Sequence, residues 1–308
     1  MSGSSSIFRQ LFLPAVYARW EWIAMRVLIA QAIFTSTAHN AFRFDVASQP
    51  QPVGIAQFFD LTWMADPTIR AWLGPLSIVA IVVYMLGRFS AIAIAFLLFV
   101  SVGYGTLMNS QGAIHHTGQI LSLVLLAQLL ALLRPYLSRD PIVREKSDFS
   151  RHAETQRLVR YSLHAIAAAY VASGLSKLIK SGGDWISNVP NIALQFEKNR
   201  QMAYYNYLEA PESEPGLAMA QWVGDNPSLA SAMFGIGLLL ELFAFVALAG
   251  RAWALAWGVG MFFMHMMVSQ LMGLGFAYNK QLLVIFAINL PFWLLLGWKA
   301  MQARRTTT

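Results

Sequence analysis

Long runs of apolar residues separated by short polar segments dominate the pattern of the chain. A helix needs about 20 predominantly apolar residues to cross about 30 Å of hydrocarbon. Eight stretches reach or approach that length, and the pattern predicts a transmembrane helix in each: 20–41, 71–87, 89–108, 114–134, 158–178, 229–249, 252–274 and 279–298. We therefore expect an all-α fold, a polytopic integral membrane bundle of about eight transmembrane helices.

The composition agrees with a membrane protein. The chain is 57% hydrophobic and 12% charged, whereas soluble domains are about 25% charged. The absence of cysteine excludes disulfides and thiolate-held metal or iron–sulfur centres. The net charge of +7 lies in loops, where membrane topology accounts for it, so it predicts no nucleic-acid partner. The partner that the composition predicts is the lipid bilayer.

The basic residues of the loops predict the orientation. Segment 134–160 holds seven arginines and lysines against four acidic residues, and such loops stay on the cytoplasmic side. With eight crossings, this places the tails 1–19 and 299–308 in the cytoplasm and the loops 42–70 and 179–228 outside. We expect one transmembrane domain, 20–298.

The outer loop 179–228 is too long for a simple connection. Its part 191–208 mixes aromatic and charged residues, which predicts an interfacial or re-entrant helix, with an ordered surface loop as the alternative. Segment 211–216, which holds two prolines and a glycine, predicts a turn or linker.

Ionisable residues inside a membrane span are costly, so each is expected to have a partner or a role. The predicted spans contain such residues at Arg26, His39, His115, His116, His164, Lys177, Glu241 and His265. The predicted topology places five of them on the outer side: His39, His115, His116, Lys177 and His265. This clustering predicts an outward-facing polar site.

Arg26 and Glu241 fall in the inner half of the first and sixth predicted spans, at similar heights. Their positions predict a buried ion pair that joins the two helices; the alternative is a catalytic carboxylate at Glu241. Removal of only one partner would then harm folding more than removal of both.

Lys177 allows two interpretations. Its ammonium can reach the interface while the stem covers apolar surface, or apolar surroundings can keep the amine neutral and make it a general base. His115 and His116 point about 100° apart on a helix, so at most one of them is expected to face the interior with Gln119. The histidines lack a recognised metal-ligand spacing, and we expect neither a metal nor haem.

Three motifs in the second half of the chain carry a family resemblance. Positions 173–178 read S-G-L-S-K-L and are followed by Asp184 and Trp185, positions 238–241 read L-L-L-E, and positions 265–271 read H-M-M-V-S-Q-L. In these motifs the chain resembles the vitamin K-dependent gamma-glutamyl carboxylases and their bacterial relatives with the horizontally transferred transmembrane (HTTM) domain. The resemblance covers residues 20–298, and its bacterial members imply a place in the bacterial inner membrane.

The resemblance implies a chemistry. In the carboxylases, a lysine that matches Lys177 deprotonates a vitamin K hydroquinone. Reaction with oxygen then gives an epoxide and a base strong enough to remove the gamma proton of a peptide glutamate, and the carbanion adds carbon dioxide. A histidine that matches His116, or His115 in the other register, acts near the reacting centre. We therefore expect a reduced quinone as cofactor.

The same motifs and the clustering on the outer side suggest the groups that bind the cofactor: His265, Gln270, His39 and Trp185. The chain departs from the family where Ser176 replaces the first of two paired lysines. It also ends at Thr308, shortly after the last predicted span, without the large soluble portion by which the carboxylases recognise a propeptide.

These observations give a leading hypothesis and an alternative. The leading hypothesis is a membrane enzyme whose outward pocket takes a hydrophobic quinone or peptide substrate, with Lys177 as base and His116 stabilising an oxyanion. The alternative is a non-catalytic subunit that binds lipid or quinone, or anchors a larger complex. A transporter ranks third, because no paired interrupted spans are evident.

Overall fold

The computed structural model describes residues 11–38, 42, 50–112, 118–137, 150–207, 215–272 and 274–305. Within these ranges the chain is helical and contains no β-strand, so the all-α prediction is confirmed. The α-helices are α1 (Arg19–Ile33), α2 (Pro67–Leu86), α3 (Ser90–Asn109), α4 (Gln119–Leu137), α5 (Arg151–Lys180), α6 (Ile192–Tyr207), α7 (Pro215–Asp225), α8 (Pro227–Leu242), α9 (Arg251–Met272), α10 (Ala277–Leu282) and α11 (Leu290–Arg305).

Five of these helices, α2 to α5 and α9, are long and apolar enough to cross a membrane. A sixth candidate consists of α10, its continuation to Ile288, and α11, which together are bent by 43°. Helix α8 is apolar but has only 16 residues. The described part of the chain therefore has five or six helices that satisfy both criteria.

Three of the predicted spans are not continuous α-helices. Helix α1 passes into a π-helix, Phe34–Ala38, and α8 is followed by a 3-10 helix, Ala244–Leu248. The last span breaks at Asn289, whose φ of 50° is left-handed. An apolar pattern predicts burial but does not specify which carbonyl each amide reaches, so these changes of helix type were not predicted. Asparagine tolerates the left-handed region better than most residues, which suits it to the break.

Helix α5 is longer than predicted. It begins at Arg151, seven residues before the predicted start, and Ser150 caps it by accepting the Ala153 amide at 3.2 Å. Its polar first turns hold the segment before α1: Gln156 accepts the Tyr17 amide at 3.0 Å and donates to the Tyr17 carbonyl at 2.6 Å. At 1.5 Å per residue the helix is about 45 Å long.

The main core lies between α1, α3, α4, α5, α9 and the π-helix Leu283–Ile288, where apolar side chains are fully buried. One line of polar groups crosses it. The Tyr84 hydroxyl donates to the Gln128 carbonyl oxygen at 3.1 Å, and the Gln128 amide donates to the Ser162 hydroxyl at 3.2 Å. Each of these three groups finds a partner, so the line links α2, α4 and α5 without an unpaired polar atom.

A buried ion pair joins the starts of α1 and α9. The Glu21 carboxylate accepts from both terminal nitrogens of Arg251, at 2.9 and 3.0 Å, and from the Asn289 amide at 2.7 Å. The Phe292 ring lies 3.9 Å from the guanidinium carbon. The sequence analysis predicted no ion pair at Glu21 or Arg251. This cluster fixes the break between α10 and α11 against the rest of the bundle.

The long segment after α5 folds into α6 and α7, so the helix predicted within 191–208 is confirmed and the loop alternative is wrong. Phe196 of α6 and Val223 of α7 are buried with Val189 and with Ala230 and Phe234 of α8. Residues 211–214 of the predicted linker lie outside the described residues. The two helices cover one end of α8 and α9.

Substitution of Gly258 by alanine is expected to destabilise the bundle by about 1–3 kcal/mol. A Cβ there would lie 2.7 Å from the Ala287 Cβ and 3.3 Å from the Ile288 amide nitrogen, so helices would have to separate. Gly297→Ala is the matched control, because a Cβ on that helical glycine meets nothing within 4 Å. Unfolding of both variants in detergent measures the difference; equal melting temperatures would contradict the close packing at Gly258.

Candidate functional site

A cavity of about 760 Å³ opens between α5, α8 and α9, with the start of α4 and Asn279 of α10 completing its wall. Most of its lining is apolar, supplied by leucine, isoleucine, methionine and phenylalanine side chains. Trp185, which precedes α6, and Ile192, its first residue, cover the cavity on one side. Both also pack against the buried cluster that contains Phe196 and Val223. Two groups of polar side chains interrupt this apolar lining.

The first group, the charged pair, consists of Lys177 and Glu241. The Lys177 amine donates to Glu241 Oε2 at 2.5 Å, and the Ser173 hydroxyl donates to Oε1 at 3.4 Å. The Trp185 ring centre lies 5.4 Å from the same amine. The side chain of Glu241 is 5% exposed and that of Lys177 is 35% exposed, so the carboxylate is buried while the amine reaches the cavity.

The local sequence of α5 produces this arrangement. Ser173 and Lys177 are one helical turn apart and so lie on the same face. Gly174, between them, allows α8 to approach: a Cβ at this position would lie 3.3 Å from the Glu241 Cβ. Gly174, which precedes the lysine within the motif, therefore has a packing role.

The predicted ion pair between Arg26 and Glu241 is wrong. Glu241 pairs with Lys177, and Arg26 donates to the Met85 carbonyl at 3.4 Å near the end of α2. The prediction counted heights along straight helices, whereas the 3-10 helix after α8 rises more per residue and raises Glu241.

The second group, the neutral triad, consists of Tyr170, His265 and Asn279. The Tyr170 hydroxyl lies 2.6 Å from His265 Nε2, and the Asn279 amide donates to that hydroxyl at 3.4 Å. The Phe276 ring centre lies 4.7 Å from that of His265. Tyr170 is two turns before Lys177 on α5, so both polar groups lie along one face of this helix.

Two buried atoms of the neutral triad have no partner: His265 Nδ1 and Asn279 Oδ1. His265 itself is only 3% exposed. A helical histidine can pair Nδ1 with the carbonyl four residues earlier, as His164 does with Arg160 at 2.6 Å. His265 Nδ1 makes no such bond, and the His265 side chain lines the cavity.

The structure brings together three of the residues predicted for the site: Lys177, Trp185 and His265 all line the cavity. Gln270, predicted to bind the cofactor, does not; it is exposed, because five residues after His265 a helix has turned about 140° away. Gln119, expected to face the interior, also lines the cavity.

The predicted site residues His39, His115 and His116 lie outside the described residues. The described residues contain no group of three or more His, Cys, Asp or Glu side chains that could hold a metal ion.

Sequence reasoning missed Tyr170, Ser173 and Asn279. The helical period could have found the first two, because they precede Lys177 by seven and four residues and therefore share its face. No comparable signal marked Asn279, since its place beside Tyr170 depends on how α10 packs.

Comparison of the chain with protein-family models finds no match, and neither a curated protein nor a solved structure matches it.

Proposed function

We propose that this protein is a membrane enzyme that removes a proton from a lipid-soluble, hydroxylated ring such as a reduced quinone. The observation that carries the proposal is the charged pair on the wall of an otherwise apolar cavity. A small-molecule site typically combines 300–1,000 Å³ of mostly apolar space with a few convergent polar groups, and this cavity has both properties.

The contact between Lys177 and Glu241 refines the role expected for the lysine. The Lys177 amine donates to Glu241 Oε2 at 2.5 Å, a charge-assisted hydrogen bond along which their shared proton can pass to the carboxylate. The pair as a whole can still accept one more proton. When the shared proton lies on Glu241, the neutral Lys177 amine can take the proton of a substrate hydroxyl, which leaves a ring oxyanion, a Lys177 ammonium and a neutral Glu241 carboxyl group.

This arrangement keeps Lys177 beside the reacting oxygen, as the resemblance to the carboxylases implies. The ammonium would compensate the charge of the oxyanion in surroundings that admit little water, where such electrostatic stabilisation is strong. The resemblance further implies that the deprotonated ring then reacts with oxygen to form an epoxide. Membership of the carboxylase and HTTM group is part of the proposal.

The membrane arrangement expected from the sequence belongs to the same proposal. The chain crosses a bacterial inner membrane eight times, with both termini in the cytoplasm and the cavity toward the outer side. The seven basic residues of segment 134–160 support this orientation. The apolar lengths of α2 to α5 and α9 support the crossings that they make.

A second candidate function is non-catalytic binding of a quinone or lipid. The observation that favours it is the charged pair itself, because Glu241 satisfies Lys177 without any substrate. Such a protein would use the apolar cavity and would not need to release the shared proton.

Lys177→Arg separates the two functions. The guanidinium keeps the charge and can still pair with Glu241, but it does not give up its proton. We expect purified wild-type protein in detergent, supplied with oxygen and 2-methyl-1,4-naphthohydroquinone, to form the epoxide, and the variant to form it at least about 100-fold more slowly. Chromatographic separation of quinone and epoxide is the measurement.

Lys180→Arg is the matched control, because Lys180 ends the same helix, is exposed and does not line the cavity. Its rate should equal that of the wild type. Full epoxide formation by Lys177→Arg would refute the role of Lys177. If the wild-type protein formed no epoxide but still bound the hydroquinone, the binding function would stand in its place.

A further inference from the structure

We infer that the neutral triad binds a ligand hydroxyl and so selects the reduced, hydroxyl-bearing form of a ring over its oxidised, carbonyl-bearing form. This inference deepens the proposed function and rests on it, because it assigns the end of the ligand that does not face the charged pair. It comes from the two buried atoms of the triad that have no partner, both on side chains that line the cavity.

The hydrogen-bond directions within the triad decide what those two atoms can offer. The Asn279 amide donates to the Tyr170 hydroxyl, so the hydroxyl oxygen acts as acceptor. Within the described residues, His265 Nε2 at 2.6 Å is the acceptor available to the hydroxyl proton, so we assign Nε2 as the unprotonated nitrogen of a neutral imidazole. The proton of the neutral imidazole is on Nδ1. The triad thus presents one free donor, His265 Nδ1–H, and one free acceptor, Asn279 Oδ1.

A hydroxyl group complements this pair of atoms, because its oxygen accepts one hydrogen bond while its proton is donated in another. Reversal of the whole chain of hydrogen bonds would exchange donor and acceptor between His265 and Asn279, and a hydroxyl would still satisfy both. A carbonyl oxygen only accepts, so it would leave one buried polar atom of the triad unpaired.

The penalty for an unpaired buried group sets the size of the preference. We expect the dissociation constant of the carbonyl-bearing ligand to be on the order of tenfold higher than that of the hydroxyl-bearing ligand. The charged pair lies two turns away along α5 and contacts the opposite end of the ligand, so its own preference adds to this ratio and must be separated from it.

The probes are 2-methyl-1,4-naphthohydroquinone, kept reduced under anaerobic conditions, and 2-methyl-1,4-naphthoquinone. Their binding to the purified protein is followed by quenching of tryptophan fluorescence, because Trp185 lines the cavity. We expect the wild-type protein to bind the hydroquinone at least about tenfold more tightly than the quinone, because the charged pair adds its own preference to that of the triad. In Asn279→Leu the preference should fall about tenfold, mainly through weaker binding of the hydroquinone.

Gln270→Leu is the control, because Gln270 lies on α9 but is exposed and outside the cavity, and its ratio should equal that of the wild type. Equal dissociation constants for the two probes in the wild type, or an unchanged ratio in Asn279→Leu, would overturn the inference and leave the proposed function intact. Binding of neither probe would overturn the proposed function. If Asn279→Leu fails to fold, the same comparison is made in Asn279→Asp. That variant keeps an acceptor oxygen at the Oδ1 position but replaces the amide that donates to Tyr170 by a second oxygen. It tests whether an intact triad sets the ratio, and an unchanged ratio there would also overturn the inference.

Discussion

Lys177→Met is expected to lower the free energy of unfolding markedly, and addition of Glu241→Met to restore most of it. The single variant leaves a carboxylate that is 5% exposed without its cation. Loss of one partner of a buried pair costs about 3–5 kcal/mol, whereas apolar replacement of both is often neutral. The 35% exposure of Lys177 places the expected loss at the lower end of that range.

Equilibrium unfolding of the purified variants in mild detergent measures these effects, with Lys180→Met as a control that should match the wild type. A lysine that only reached toward the membrane interface would give a different result, because its loss would leave no buried charge behind. Wild-type stability of Lys177→Met, or a double variant as unstable as the single one, would contradict the structural role of the pair. The double variant is also the appropriate inactive protein for assays, since it lacks the proton acceptor but keeps the fold.

The second large effect is expected at Arg251. In Arg251→Met, Glu21 keeps only the Asn289 amide and the Ala18 backbone amide as partners, at 2.7 and 2.9 Å. The side chains of Glu21 and Arg251 are only 3% and 10% exposed. The expected loss in the free energy of unfolding is therefore about 3–5 kcal/mol, the range for a fully buried pair.

A double variant, Glu21→Met with Arg251→Met, should recover only part of that loss. The Asn289 amide and the Val16 carbonyl, which Arg251 contacts at 2.7 Å, would both lose a partner. Arg19→Met is the control for charge near the start of α1, since Arg19 is exposed. Unfolding in detergent again provides the measurement, and an Arg251→Met protein as stable as Arg19→Met would show that the buried pair contributes little.

The sequence predicted the helices of the bundle and part of the site. Hydrophobic length located each long helix, and the motif around Lys177 together with the helix of His265 identified two walls of the cavity. Those predictions succeeded because a membrane-length apolar run and a polar residue within it are local signals. Trp185, which follows the same motif, was predicted for the site and lines the cavity.

The partners of these residues could not be obtained in the same way. Which acid meets Lys177 depends on the crossing of α5 and α8, on the glycine that lets them approach, and on the type of helix that follows Leu242. Each of these is a tertiary property, and heights counted along straight helices assigned Glu241 to Arg26 instead of Lys177. Gln270 failed for a related reason: a motif places residues in order along a helix, but only rotation about the axis decides which of them face a cavity.

The two π-helical segments have a consequence for how the sequence can vary. Each hydrogen bond of a π-helix spans one residue more than that of an α-helix. A single π-helical turn therefore behaves as a one-residue insertion in an α-helix. Deletion of one residue within Leu283–Ile288 would restore regular α-helix and rotate everything after it by about 100°. Asn289 would then turn away from Glu21, which it contacts at 2.7 Å. Sequences descended from a common ancestor with this one should therefore retain the spacing between this segment and the asparagine, even where the apolar residues themselves are exchanged freely.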